Sequence, residues 1–170
     1  MGNLATPETL ALRWAEVMRD PSLQNLPYKI ELNARGKIEM SPASNIRGRF
    51  QARLAIVLGT QLPDGEVITG SSVLTEIGVR VPDVAWASAE FFREHGKSTP
   101  FPRAPEICIE ITSPSNSDEE IREKIHAYVA AGAQEVWIVG EDGRIDYQDR
   151  DGKKPGSSFN VRISLPDLSK

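Results

Sequence analysis

The sequence has few of the residues that build disulfides or nitrogen- and sulfur-rich metal sites. One cysteine, Cys108, and two histidines, His95 and His126, occur among 170 residues. A single cysteine excludes an intrachain disulfide and a zinc site made of several cysteines. Two histidines are too few for a histidine-rich metal site. Any metal is therefore expected to be a hard cation held by carboxylates, such as Mg²⁺ or Mn²⁺.

Long apolar runs and an excess of basic residues are also missing. No run approaches the length of about 20 apolar residues that crosses a bilayer. Residues 1–6 lack the basic and apolar regions of a signal peptide, which predicts a cytoplasmic protein. The net charge is −4, from 20 Lys and Arg against 24 Asp and Glu. General affinity for nucleic acid comes from neutralising phosphates, so this total argues against it, but an acidic pocket rimmed by basic residues would give the same total.

The composition is that of an ordinary globular protein, with 39% hydrophobic and 26% charged residues. A chain of this length can form one stable core. No repeat, low-complexity segment or linker divides it, so we predict a single domain over residues 1–170.

Periodicity predicts the elements of the first half of the chain. Thr6 is a good N-cap and Pro7 a good first residue for a helix over residues 7–19. A hairpin follows, with strands at 28–32 and 37–40, and then a helix at 46–60 whose exposed side carries Arg47, Arg49 and Arg53. Further strands are predicted at 66–70, 73–77 and 84–86, before a short helix and polar loop within 88–99.

The second half contains the clearest strand, residues 106–111. Because side chains alternate across a strand, Ile107, Ile109 and Ile111 share one face while Cys108 and Glu110 share the other. A helix at 118–131 and a strand at 136–139 complete a parallel βαβ unit, and late strands are predicted at 144–148 and 158–163. The predicted fold is an α/β sandwich with a mixed central sheet flanked by helices.

Asp83, Glu110 and Lys124 form the constellation with the clearest chemistry. Asp83 begins a strand, Glu110 lies near the end of the next clear strand, and Lys124 borders the apolar stripe of the following helix. Two carboxylates at neighbouring strand ends can bind a divalent cation through oxygen. A lysine beside them can stabilise the charge that develops on a phosphate during hydrolysis.

Each of these residues also has a structural interpretation. Asp83 could be a strand-entry residue, and Glu110 could be solvated on a half-exposed strand. Lys124 could pair with Glu120 on a helix surface, a contact worth only about 0.3–0.5 kcal/mol. Cys108 is expected to be buried, since free cysteines usually are. Trp86 and Trp137 are expected in the core rather than as base-stacking platforms.

An ordered set of short motifs runs through most of the chain, from about residue 6 to residue 146. It comprises Met-Ser-Pro at 40–42, Val-Pro-Asp-Val-Ala-Trp at 81–86, Ala-Pro-Glu at 104–106, Glu-Ile-Thr-Ser-Pro-Ser-Asn at 110–116, Lys124, Tyr128, Ala-Gly at 131–132 and Glu-Val-Trp at 135–137. In these motifs the chain resembles the Uma2-like family of restriction endonucleases, within the PD-(D/E)XK nuclease superfamily. The resemblance implies a restriction-endonuclease-like sandwich.

The resemblance also assigns roles to residues. Asp83 and Glu110 match the metal-binding acids, and Lys124 matches a catalytic lysine that has moved to the helix from the position of Thr112. Glu31 matches a glutamate of the N-terminal hairpin that approaches the site. Family members often have a histidine where this chain has Arg47, which can contact phosphate but cannot act as a general base near neutral pH.

The main hypothesis is a Mg²⁺- or Mn²⁺-dependent DNA endonuclease, in which Asp83, Glu110 and the Ile111 carbonyl bind the metal and Lys124 assists the attack of water. The acidic composition and Arg47 motivate an alternative, a catalytically weak or inactive nuclease-fold module that binds nucleic acid or a protein partner. A phosphatase or other small-molecule hydrolase on the same site is a third possibility.

Cutting both strands of a duplex favours a homodimer, with an unpaired C-terminal sheet edge as one place for contact.

Overall fold

Ten β-strands and four α-helices form within residues 2–170, the part of the chain that the computed structural model describes. The helices are α1 (Pro7–Arg19), α2 (Asn45–Gln61), α3 (Ala89–His95) and α4 (Asp118–Ala130). The strands are β1 (Tyr28–Leu32), β2 (Ile38–Pro42), β3 (Gly65–Ile68), β4 (Val73–Thr75), β5 (Gly78–Arg80), β6 (Val84–Ser88), β7 (Ile107–Ile111), β8 (Glu135–Val139), β9 (Ile145–Asp149) and β10 (Gly152–Lys154).

Each helix begins at a side chain that caps it. The hydroxyl of Thr6 accepts a hydrogen bond from the backbone N–H of Thr9, which satisfies one of the unpaired donors at the start of α1. Ser44, Ser88 and Ser117 cap α2, α3 and α4 in the same way. The predicted bounds of the first helix are confirmed, and those of the second and fourth are within one residue.

The central sheet has six strands in the order β10-β9-β8-β7-β6-β3. Strands β7 and β8 pair in parallel, with α4 as the crossover between them, and the other neighbours pair antiparallel. The predicted βαβ unit and the mixed α/β fold are therefore confirmed. Within residues 2–170, no helix combines the length and the apolar character that a membrane span requires.

Both faces of the sheet are covered. On one face, the isoleucines of β7 and Trp137 pack with residues of α2, including Phe50 and Leu54. On the other face, Cys108 packs with Tyr128 of α4. The alternation of β7 side chains and the core positions of Cys108, Trp86 and Trp137 are thus confirmed.

Two small hairpins lie beside the central sheet. β1 pairs with β2 and β4 pairs with β5, each as a separate antiparallel sheet. Leu32 of β1 and Val79 of β5 are fully buried in a third apolar cluster, where they pack with Leu10, Trp14 and Val17 of α1. This cluster fixes the first hairpin against the rest of the chain.

Some predicted strands were wrong. The strand predicted at 73–77 ends at Thr75, because the chain turns there and returns as β5. Residues 158–163 form no strand, and the strand after β9 is β10 instead. The alternating pattern at 158–163 instead places Phe159, Val161 and Ile163 against the core as irregular chain.

Glu135 explains why the C-terminal segment is held in place without a strand. Its side chain is 1% exposed, and it accepts hydrogen bonds from Trp137 Nε1 at 2.8 Å, Ser157 Oγ at 2.7 Å and both the N–H and Oγ of Ser158 at 2.6 Å. The Lys154 ammonium lies 3.1 Å away. Burial alone would raise the pKa of Glu135, but the hydrogen bonds from Ser158, Trp137 and Ser157 outweigh it and lower the pKa to about 2.

Because its folded pKa is depressed, Glu135 stabilises the fold above the usual glutamate pKa of 4.5, and the contribution is lost as pH falls toward 2. We expect Glu135→Gln to lower the free energy of unfolding at pH 6 by about 1.5–3 kcal/mol, the range for hydrogen bonds to a charged group. The difference from wild type should shrink at pH 3. Urea unfolding at both pH values measures it, with Glu66→Gln on the exposed side of β3 as control; a difference independent of pH would contradict the prediction.

Gly78 is a point where the backbone of the second hairpin lies close to the end of β1 in the first hairpin. It has φ +116°, and a Cβ there would lie 2.0 Å from the Leu32 carbonyl oxygen. We expect Gly78→Ala to destabilise the protein by at least about 1–3 kcal/mol, the cost of a strained backbone position. Gly48, in α2 with open space around it, is the matched control: Gly48→Ala should stabilise by about 0.5–1 kcal/mol. Thermal melting compares them, and equal effects would refute the close approach.

Candidate active site

Strand pairing brings Asp83 and Glu110 together. Val84 of β6 is paired with Ile109 of β7 in an antiparallel register, so the residue before Val84 lies opposite the residue after Ile109. Asp83 is 1% exposed and Glu110 is 5% exposed. The two carboxylates therefore meet in a buried position at one end of the sheet.

The Lys29 ammonium lies between these carboxylates. Its Nζ donates to Asp83 Oδ1 at 3.2 Å and to Glu110 Oε2 at 3.1 Å. A third contact, at 3.1 Å, is to the backbone carbonyl oxygen of Val81. Lys29 comes from β1 of the first hairpin, so the hairpin supplies the positive charge and the central sheet supplies the acids.

Lys124 approaches Glu110 from the other side. Its Nζ lies 3.3 Å from Glu110 Oε1 and 3.3 Å from Glu31 Oε1. The Tyr128 hydroxyl, one helical turn later, donates to the same Glu110 oxygen at 2.7 Å. Lys124 thus points inward to these two acids and makes no ion pair with Glu120 among the described contacts.

Hydrogen bonds to both its side chain and its backbone fix the position of Asp83. The N–H of Ile111 donates to Asp83 Oδ2 at 2.7 Å, and Gln51 Nε2 donates to the Asp83 carbonyl oxygen at 3.0 Å. The Ile111 amide therefore orients the first acid; the predicted use of the Ile111 carbonyl as a metal ligand stays a prediction.

The two acids have opposite electrostatic environments. Burial and the neighbouring Glu110 charge raise the pKa of Asp83, although Lys29 and the Ile111 N–H oppose the rise. Burial would also raise the pKa of Glu110, but Lys124, Lys29 and the Tyr128 hydroxyl outweigh it and lower that pKa. Neighbouring carboxylates whose pKa values diverge in this way are typical of functional sites.

Two arginines add positive charge at the edge of the cleft. Arg47 Nε lies 3.8 Å from Asp83 Oδ1, and Arg80 Nη1 donates to Glu39 at 2.8 Å. The Nε atoms of both arginines are buried without a hydrogen-bond partner within residues 2–170. Buried donors normally have partners, so these two Nε groups are left unsatisfied among the described residues.

The side chains surround a cleft of about 390 Å³. The charged residues lining it are Lys29, Glu31, Glu39, Arg47, Arg80, Glu110, Glu120, Glu123 and Lys124. Asp83 lines an adjoining depression that also contains Lys29 and Arg47. Acidic and basic side chains therefore line the cleft together, and Lys29 and Lys124 contact its buried acids directly.

The structure brings together the predicted residues Asp83, Glu110, Lys124 and Glu31, with Arg47 beside them. Their catalytic roles stay predictions. Arg49 and Arg53 are exposed on α2 and do not line this cleft.

Sequence reasoning missed Lys29, Arg80 and Tyr128. Lys29 is two residues before Glu31 on the same strand, and side chains so spaced share a face. Tyr128 follows Lys124 by four residues, which places both on one side of a helix. These spacings could have identified Lys29 and Tyr128, whereas Arg80 depends on a β5 strand that was not predicted.

No match appears among curated proteins, but four chains of known structure match this one. One is described as a “putative nuclease belonging to DUF820” from Anabaena variabilis. It is 20% identical, with a TM-score of 0.63, and the match covers 82% of this chain and 88% of that one. At this identity the likeness shows a shared fold.

A family match covers residues 14–153, a span that contains every charged residue of the cleft. The fold, the cleft and this match lead to one conclusion: the chain belongs to the Uma2 family, described as “Putative restriction endonuclease”.

Proposed function

We propose that the protein is a divalent-metal-dependent DNA endonuclease that hydrolyses phosphodiester bonds. Membership of the Uma2 family supports a nuclease. The proposal of metal-dependent DNA hydrolysis rests on one observation. Asp83 Oδ1 and Glu110 Oε2 converge on a single cation, the Lys29 ammonium, at 3.2 and 3.1 Å.

The oxygens around that position fit a hard divalent cation. Two carboxylate oxygens and the Val81 carbonyl oxygen surround one point, and Mg²⁺ or Mn²⁺ prefers such ligands. Within residues 2–170 no group of three or more His, Cys, Asp or Glu side chains is placed to hold a metal. The protein would therefore offer Asp83, Glu110 and backbone carbonyls, including that of Ile111, and leave other positions to water and phosphate, as Mg²⁺ sites commonly do.

When bound, such an ion polarises a phosphate and lowers the pKa of a bound water. The basic side chains do the remaining work. Lys124, held by Glu110 and Glu31, places a fixed positive charge where charge develops on the phosphate. The guanidinium groups of Arg47 and Arg80, which line the cleft, suit phosphate oxygens. Tyr128 holds Glu110 in orientation through its 2.7 Å hydrogen bond.

The alternative is a nuclease-fold module that binds nucleic acid or a protein partner with little catalysis. The observation that favours it is that Lys29 already neutralises the acid pair. A satisfied buried ion network can be purely structural. Activity in the presence of metal decides between the two proposals.

Nicking of supercoiled plasmid tests the endonuclease. We expect wild-type protein to nick DNA with Mn²⁺ or Mg²⁺ and to be inactive with EDTA. Asp83→Asn keeps the side-chain shape but removes the charge, and should lower the rate by about a hundredfold or more, since metal assistance is worth several kcal/mol. Glu110→Gln should lower the nicking rate by a similar factor. Asp64→Asn, in the exposed turn before β3, is the control. Full activity of Asp83→Asn would remove the assignment.

We also propose a homodimer acting in the cytoplasm. One chain offers one cleft of this kind within residues 2–170, and a twofold dimer supplies a second for the opposite DNA strand. The sheet margins are short, with four residues in β3 and three in β10, which limits the surface that an edge-to-edge contact could use. Light scattering at micromolar concentration is expected to give about twice the chain mass of 18.7 kDa. A mass of one chain that does not change with concentration would contradict the dimer.

A further inference from the structure

Lys29 occupies the centre of the oxygen group that suits a metal ion. Its Nζ is 3.1–3.2 Å from Asp83 Oδ1, Glu110 Oε2 and the Val81 carbonyl. All three are oxygen acceptors, and two belong to carboxylates. Magnesium ligands lie about 2.0–2.1 Å from the ion. An ion in contact with all three oxygens would therefore have to take the position of the Lys29 ammonium.

We propose that Lys29 and a divalent ion bind alternately to this oxygen group, so that the lysine acts as a tethered competitor of the metal. The inference rests on the proposed metal-dependent function and adds a control of metal affinity to it. Because Lys29 is part of the chain, the concentration of its ammonium near the oxygen group does not change with the composition of the solution.

Lys29 is the partner that can move. Asp83 is held by the Ile111 N–H at 2.7 Å and Glu110 by the Tyr128 hydroxyl at 2.7 Å. Lys29 instead lies on a hairpin outside the central sheet and, although its side chain is only 14% exposed, it borders both depressions next to the acids. A lysine ammonium on its flexible four-carbon stem can withdraw into either depression.

Lys124 differs from Lys29 because it does not contact the shared oxygen group. Its ammonium contacts Glu110 through the other carboxylate oxygen, Oε1, and then Glu31. It makes no ion pair with Asp83 among the described residues. Lys124 therefore lies outside the shared oxygen group and need not leave when an ion binds. Removing Lys124 lowers the positive charge near Glu110 by the same amount as removing Lys29, which separates general charge from occupancy.

The expected gain in metal affinity depends on the fraction of molecules in which Lys29 has withdrawn from the oxygen group. A ligand that binds only the competent fraction of molecules has its dissociation constant raised by the reciprocal of that fraction. If Lys29 withdraws in about one molecule in ten, its removal should tighten binding about tenfold.

Isothermal titration calorimetry with MnCl₂, without DNA and on the full chain, tests the proposal. The proteins are wild type, Lys29→Met, Lys124→Met and Lys37→Met, the last an exposed position on the same hairpin. We expect Lys29→Met to bind Mn²⁺ about tenfold or more tightly than wild type, Lys124→Met to gain clearly less, and Lys37→Met to match wild type. Circular dichroism checks folding, and Lys29→Gln replaces Lys29→Met if that variant does not fold.

Each result is decisive. Wild-type binding that Lys29→Met leaves unchanged or weakens would overturn the competition but not the nuclease. An equal gain in Lys29→Met and Lys124→Met would also overturn it, because general charge would then be the cause. No Mn²⁺ binding by any of the four folded proteins at millimolar metal would overturn the metal site of the proposed function and this inference together.

Discussion

A positive charge between two buried carboxylates is the interaction on which the cleft depends. Asp83 and Glu110 are almost inaccessible to solvent, and like charges so placed are costly without a compensating cation. Lys29 contacts both, and Lys124 adds a second cation on the far side of Glu110. Because all four share one network, the energetic effects of changing them will not be additive.

The sheet topology makes this encounter possible. In the antiparallel pair β6–β7, the beginning of one strand lies beside the end of the other, so Asp83 and Glu110 meet although 27 positions separate them in the chain. The parallel pair β7–β8 then requires a crossover, and α4 is that crossover. Its position over the sheet brings Lys124 and Tyr128 to the same carboxylate. Acids and supporting groups are therefore fixed by regular backbone pairing.

Sequence patterns predicted correctly those elements that depend on neighbouring residues. The capped helices, the alternating strand of Cys108 and Glu110, and the βαβ unit all follow from periodicity and turn residues. The strand predicted at 158–163 is wrong because hydrogen bonds from Ser157 and Ser158 to Glu135, which is distant in sequence, hold this segment as irregular chain, with Phe159 partly buried against the core. Lys29 was missed for a similar reason. Its contacts are with residues more than 50 positions away, and a short strand pattern does not reveal such partners.

The first hairpin carries a further consequence. It shares no strand with the central sheet, yet it contributes Lys29 and Glu31 to the cleft. Asp83 and Glu110 are built into the sheet, whereas Glu31 and the Lys29 charge come from a separate unit packed on α1 and β5. Substitutions at the cleft-lining positions of this hairpin, such as Glu39, can change the charge of the cleft without breaking a hydrogen bond of the central sheet. The architecture thus separates an acid pair fixed by the central sheet from charges placed by a second unit, and it gives a protein engineer a place to change the charge of the cleft while the sheet is kept.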